Sequence, residues 1–142
     1  MSSSSDKIKW SKEYETGVDE MDEQHHILVN TLNRANELLT QDYSLENLQN
    51  LTKDLLSYAL YHFETEEELM QEHGYDEAHP KDYAKHMKQH RDFSAKIVAI
   101  RSDLKAGKLI DQEVLINFLV NWLINHINKT DKKLGSFLST KL

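Results

Sequence analysis

The chain has 142 residues, enough for one domain that buries roughly 70% of the surface its unfolded form exposes. It contains no Cys, which excludes zinc–thiolate sites, iron–sulfur clusters and c-type haem attachment and fits a cytoplasmic setting. A formal net charge of −7 argues against a nucleic-acid partner and against a polybasic membrane contact.

Residues 1–17 read as an arm without helical periodicity, with Ser2 to Ser5 as a disordered leader that lacks the apolar core of a signal peptide. Trp10 and Tyr14 are the residues expected to pin the arm to the body. The first helix is expected over Asp19–Leu39, where Val18, Met21, His25, Leu28, Leu32, Ala35 and Leu39 recur at steps of three and four and define one buried seam. Ser44 suits the N-cap of a second helix, with Asn47 where a capping box usually has Glu or Gln. That helix runs to about Glu72 on a seam of Leu48, Leu51, Leu55, Tyr58, His62, Glu66 and Leu69. His73-Gly74-Tyr75 ends it, Asp76 to His79 reads as a loop, and Pro80 opens a third helix. Tyr83, His86, His90, Phe93, Ile97, Ile100 and Leu104 form the third seam, and Gly107 stops it. The fourth helix begins near Asp111, carries Leu115, Phe118, Leu119, Trp122 and His126, and ends around Gly135, with Phe137 and Leu138 folding back. The longest apolar-rich stretch, Val114 to Ile124, is broken by Asn117 and Asn121 and is too short to insert in a membrane. Four helices with short connections predict an all-α fold, an antiparallel up-down-up-down four-helix bundle with an N-terminal arm. Residues 1–142 are expected to form a single domain.

Five of the eight His fall on these seams: His25, His62, His86, His90 and His126. Each buried imidazole needs partners for two ring nitrogens, and five on the inner faces of one bundle are costly unless something satisfies them together. A metal does so, because neutral imidazole is the commonest protein ligand for one. His62 and Glu66 are four apart, as are His86 and His90, and residues at that spacing share a helix face. His126 and Asp131 are five apart, which a π-type turn would bring onto one face. Taken singly, each of these pairs has an ordinary structural explanation. Their convergence inside one bundle points to a metal centre.

The motifs also resemble those of the hemerythrin family. Trp10 followed by Gly17-Val18-Asp19-Glu20-Met21-Asp22-Glu23-Gln24-His25 is similar to its opening, and His62-Phe63-x-x-Glu66-Glu67-x-x-Met70 to its second motif. His86-x-x-x-His90-x-x-Phe93 resembles the third, and Trp122-Leu123-x-x-His126-Ile127-x-x-x-Asp131 the last. The resemblance runs from about residue 9 to 138, with the bacterial members closer in the spacing of the last two motifs. It departs between Met70 and His86, a connection about five residues longer than usual. His79, seven before His86, could share that face, but Phe93 follows His90 at the expected offset and favours His86 and His90.

The resemblance implies two non-haem iron ions. His86, His90 and His126 would hold one, and His25 and His62 the other. Glu66, Asp131 and an oxo or hydroxo group would bridge them. It implies reversible O2 binding for oxygen carriage, storage or delivery rather than an enzyme, with O2 as the partner. Leu28, Trp122 and Leu123 would form the O2 pocket. An O2- or redox-sensing domain, or a di-iron enzyme consuming peroxide or nitric oxide, are the competing expectations.

Overall fold

The computed structural model describes residues 8–142, and the Ser2–Ser5 leader lies outside them. A 3-10 turn at Lys12–Tyr14 precedes α1 (Asp19–Gln41), α2 (Leu45–Glu72), α3 (Tyr75–Ala78), α4 (Pro80–Lys105), α5 (Gln112–Asn125), a π-helical segment at His126–Asp131, and α6 (Lys132–Leu138). The fold is an all-helical four-helix bundle. Its members are α1, α2, α4 and the composite of α5, the π segment and α6. α2 packs against α1 and α4, and α1 also meets α5.

Local chemistry sets the ends of these helices. Ser44 caps α2 by accepting a hydrogen bond from the Asn47 backbone N–H at 3.2 Å. The Asn47 side chain does not reach back to complete a capping box; its amide donates to the Asp42 carbonyl at 2.9 Å. Asp111 caps α5 by accepting from Val114 N–H at 3.1 Å. The start of α1 is held from inside the helix, because Asp22 Oδ1 accepts from the Thr16 N–H at 2.7 Å and from its hydroxyl at 2.8 Å.

Two expectations are corrected. The stretch from Asp76 to His79 is not simply a loop: Gly74 takes a left-handed φ of 76° and the chain re-enters one helical turn at α3. That turn forms because it buries Tyr75, 1% exposed, in a cluster with Val18, Met21, Met70, Leu134 and Leu138. Gly135 does not end the last helix, which continues to Leu138. Its missing side chain serves a close approach instead, since a Cβ there would overlap the Thr16 carbonyl of the arm.

The arm is otherwise fixed by Asn33. Its Oδ1 accepts from Ile8 N–H at 3.1 Å, and its amide donates to the Ile8 carbonyl at 2.7 Å. Trp10 stacks on His26 with ring centroids 5.0 Å apart, as the pinning role of Trp10 requires. No described helix is long and apolar enough to cross a membrane.

The core has two parts. A large apolar cluster includes Leu28, Leu32, Leu55, Phe63, Ile97, Leu119 and Ile127. The smaller Met21–Met70–Tyr75–Leu134 cluster is separate from it. Along α1, α2 and the last helix, the polar positions fall between these two groups: His25 between Met21 and Leu28, Glu66 between Phe63 and Met70, Asp131 between Ile127 and Leu134. The polar layer is thus closed by apolar packing on both sides.

Candidate metal centre

All seven residues singled out in the sequence meet in this layer. His25, Glu66, His86 and Asp131 are 0% exposed, His62 1%, His90 2% and His126 3%. Seven ionisable groups at this burial demand mutual compensation, since an isolated buried charge is strongly unfavourable.

The donor atoms divide into two overlapping sets. One atom each from Glu66, His86, His90, His126 and Asp131 lie within 4.8 Å of one another, and so do those from His25, His62, Glu66 and Asp131. The carboxylates belong to both sets. Glu66 turns Oε2 toward His62 and His25 Nε2 at 3.0 and 3.2 Å, and Oε1 toward His90 and His86 Nε2 at 3.0 and 3.1 Å. Asp131 turns Oδ2 toward His25 at 2.8 Å, and Oδ1 toward His126 and His86 at 3.1 and 3.2 Å. Each carboxylate therefore offers one oxygen to a set of three imidazoles and the other to a set of two.

The two carboxylates are placed by different backbones. On α2, His62 and Glu66 share a face by ordinary helical spacing. On the last helix, the π segment spans His126 to Asp131, and the wider turn brings residues five apart to the same face. His79, the alternative considered for the third helix, is exposed at the N-cap of α4 and outside both sets.

Three outer contacts fix how the rings point. His62 Nδ1 donates to Gln24 Oε1 at 2.7 Å, and the Gln24 amide in turn donates to the Thr65 hydroxyl at 3.3 Å. His90 Nδ1 donates to Glu67 Oε2 at 3.0 Å. His126 Nδ1 donates to Gln89 Oε1 at 2.7 Å, which also accepts from the Thr130 hydroxyl at 2.7 Å. An imidazole whose Nδ1 carries the hydrogen presents its Nε2 lone pair inward, the arrangement that a metal ligand needs. Sequence reasoning missed Gln24, Glu67 and Gln89. A signal was present: each is the chain neighbour of a candidate ligand on one helix and supports an imidazole on the next.

These contacts test whether a cation fits. His90 and His126 have both committed Nδ1–H outward, yet their Nε2 atoms face each other at 3.2 Å. Two lone pairs at that distance repel unless a proton or a cation lies between them. His62 Nε2 and both Asp131 oxygens are buried without a hydrogen bond, and both residues belong to the donor sets. The residues fit a pair of cations.

The electrostatics agree. Burial works against charge on His25 and His86, but Asp131 and Glu66 outweigh it and raise both to about 10. His126 is raised for the same reasons. Burial works against charge on Glu66 as well, yet His62, His126 and His25 hold it well below the usual carboxylate range. Asp131 is opposed by burial and by Glu66, and is held low by His126 and His25. In the metal-free protein, protons on imidazoles stand where cations would.

Apolar surfaces flank the layer. Phe63 stacks on His90 at 3.9 Å between centroids, and Trp122 on His126 at 4.4 Å. Leu28, Trp122 and Leu123, expected to line a gas pocket, do share the wall of an apolar cavity of about 20 Å³, with Ala59, Phe63 and Phe93.

The family model for the Hemerythrin HHE cation binding domain matches residues 16–138. The chain belongs to this hemerythrin family. A bacteriohemerythrin of Methylococcus capsulatus is 31% identical over 131 residues, covering 89% of this chain and 92% of the relative. A myohemerythrin of Theromyzon tessulatum is 30% identical over 125 residues, with 88% of each chain covered. A crystal structure of wild-type hemerythrin superposes with a TM-score of 0.82 at 27% identity, covering 94% of this chain and 98% of the other. The two donor sets that share Glu66 and Asp131 suit a cation-binding domain.

Proposed function

We propose that this chain binds O2 reversibly at a non-haem di-iron centre and serves oxygen carriage, storage or delivery in the cytoplasm. The observation that carries the reading is the shared pair of carboxylates with three imidazoles on one side and two on the other. His86, His90 and His126 would hold one iron and His25 and His62 the other, with Glu66 and Asp131 available to both. When bound, the two irons supply the electrons and the open coordination position that reversible O2 binding requires.

The chain's own residues provide the rest. The His25–His62 set is one imidazole short of its neighbour, so a cation held there would have fewer protein ligands. A shell of five imidazoles and two carboxylates carries less negative charge than the carboxylate-rich sets of ferritin-like proteins, and therefore supports high-valent iron less well. Gln24, Glu67 and Gln89 hold the tautomers of His62, His90 and His126. Leu28, Trp122 and Leu123 keep water from the bound gas, and their cavity offers apolar space next to the Phe63 ring that covers His90. The bacteriohemerythrin and myohemerythrin relatives do not favour a sensor or an enzyme consuming peroxide or nitric oxide.

The test is a metal count and an O2 cycle on one sample. The purified protein is analysed for iron, reduced without air, then exposed to and stripped of O2 while the visible spectrum is recorded. Two irons per chain and a charge-transfer band that comes and goes with O2 are expected. Iron that oxidises once and never releases O2 would remove carriage from consideration.

A further inference from the structure

The charge of this chain is divided along its length. Through residue 80 there are five Lys and Arg against eighteen Asp and Glu; from residue 81 onward there are twelve against six. The α1–α2 half of the bundle is therefore strongly acidic, and the α4–α6 half is basic within an acidic protein.

The basic half contains a cleft. One cavity of about 240 Å³ is walled by Lys85, Gln89, Trp122, His126, Lys129 and Thr130 among others. A second, of about 350 Å³, shares Lys85, Lys129 and Thr130 and adds Lys133. Lys85, Lys129 and Lys133 are exposed. Asp82 is the acid on this wall, 3.5 Å from Lys133. The floor is the notable part. His126, the most exposed of the seven candidate ligands, forms part of the wall, Trp122 stacks on it, and Gln89 Oε1 accepts from its Nδ1–H. A charged rim thus surrounds a short path of aromatic and hydrogen-bonded groups into the centre.

We propose that this cleft is the docking surface for an acidic one-electron carrier protein that returns the oxidised centre to its reduced state. The inference rests on the di-iron reading above. Ferrous O2 carriers oxidise slowly in air and need a reductant. Two reduced carriers each give up one electron in successive encounters, which returns two ferric ions to ferrous, and any proton needed for charge balance comes from solvent. Lysines around a redox centre steer an acidic partner by long-range attraction. The acidic α1–α2 half repels the same partner and so favours one orientation.

The probe is an acidic flavodoxin in its hydroquinone form, which gives one electron and becomes the semiquinone. Its reduction of the diferric protein is compared in the parent and in the Lys85→Glu, Lys129→Glu double variant. The variant should be reduced roughly tenfold or more slowly at low salt, with the gap closing as salt rises. Iron content, the O2-dependent spectrum and reduction by uncharged photoreduced lumiflavin should match the parent. Carbodiimide cross-linking of the same holoprotein to oxidised flavodoxin should join Lys85, Lys129 or Lys133 to flavodoxin carboxylates. Equal flavodoxin rates in parent and variant overturn the proposal, as do cross-links elsewhere on the chain. Displacement by inorganic phosphate but not by chloride at matched ionic strength overturns it in favour of a small-anion site. A parent that fails to bind two irons or to cycle O2 refutes the di-iron reading instead.

Discussion

Two segments place a His and a carboxylate side by side, and they do it differently. On α2, His62 and Glu66 use the four-residue spacing of a regular helix. On the last helix, His126 and Asp131 use the five-residue spacing of a π turn. The second carboxylate is one methylene shorter than the first. A wider turn can deliver a shorter acid to a common centre, so side-chain length and backbone winding compensate each other. Two features of the surroundings match. Each imidazole gives its Nδ1–H to a glutamine oxygen at 2.7 Å. The residue three before each lines the same apolar cavity, as Ala59 on α2 and Leu123 on α5.

The hardest break is to remove one shared carboxylate. Glu66→Ala and Asp131→Ala should each abolish binding of both irons, because each acid serves both sets; a metal count on variants whose circular dichroism remains helical checks this. The next tests the compensation itself. Removing the exposed Lys129 returns the π segment to helical winding while leaving Leu134 and Leu138 on their buried face. Iron affinity should fall, and adding Asp131→Glu to the same deletion should recover most of it by restoring the length and spacing seen on α2. Failure of that rescue would show that winding alone governs the site.

Smaller changes sharpen the symmetry. Gln24→Leu and Gln89→Leu each remove the acceptor of one ligand imidazole and should weaken iron by roughly 10- to 100-fold, to a similar degree on the two sides. Competition with a chelator measures both. Leu123→Ala makes α5 resemble α2 at the equivalent place. It enlarges the cavity and should speed autoxidation several-fold; an unchanged rate removes the pocket wall from the proposed mechanism.

The mildest test is pH. Groups with raised values, His25 and His86, stabilise the metal-free fold fully below about 6.5, and that support is lost as pH rises toward about 10. Glu66 and Asp131, held low, support it above their ordinary values of 4.5 and 3.8 and lose that support as pH falls further. Melting of iron-free protein should therefore be highest in mild acid. Iron uptake must expel the imidazole protons, so it should strengthen as pH rises, and the two trends should cross.

The helical seams and the six polar residues on them were legible because burial imposes a helical period, and Asp131 because a spacing of five from His126 has few geometric solutions. What escaped was decided by partners distant in sequence. Gly135 reads as a stop, but its role depends on the Thr16 carbonyl reaching it from the arm. The stretch Asp76 to His79 reads as a loop because four residues are too few for a period, yet Tyr75 finds a buried place beside Met21 and Leu138 and winds it into a turn. Gln89 lies on a lysine-rich helix among exposed side chains, and its place beside His90 is the one local mark that sets it apart. Only the neighbouring helix reveals that it holds an imidazole.

The stack of Trp122 on His126 has one more consequence. An indole excited against an imidazole loses emission according to the charge on that ring, and loses more to a metal bound beyond it. The other indole, Trp10, stacks on His26, which is not among the candidate ligands. The protein therefore carries its own optical gauge, with one tryptophan reporting what the centre holds and the other serving as the internal standard.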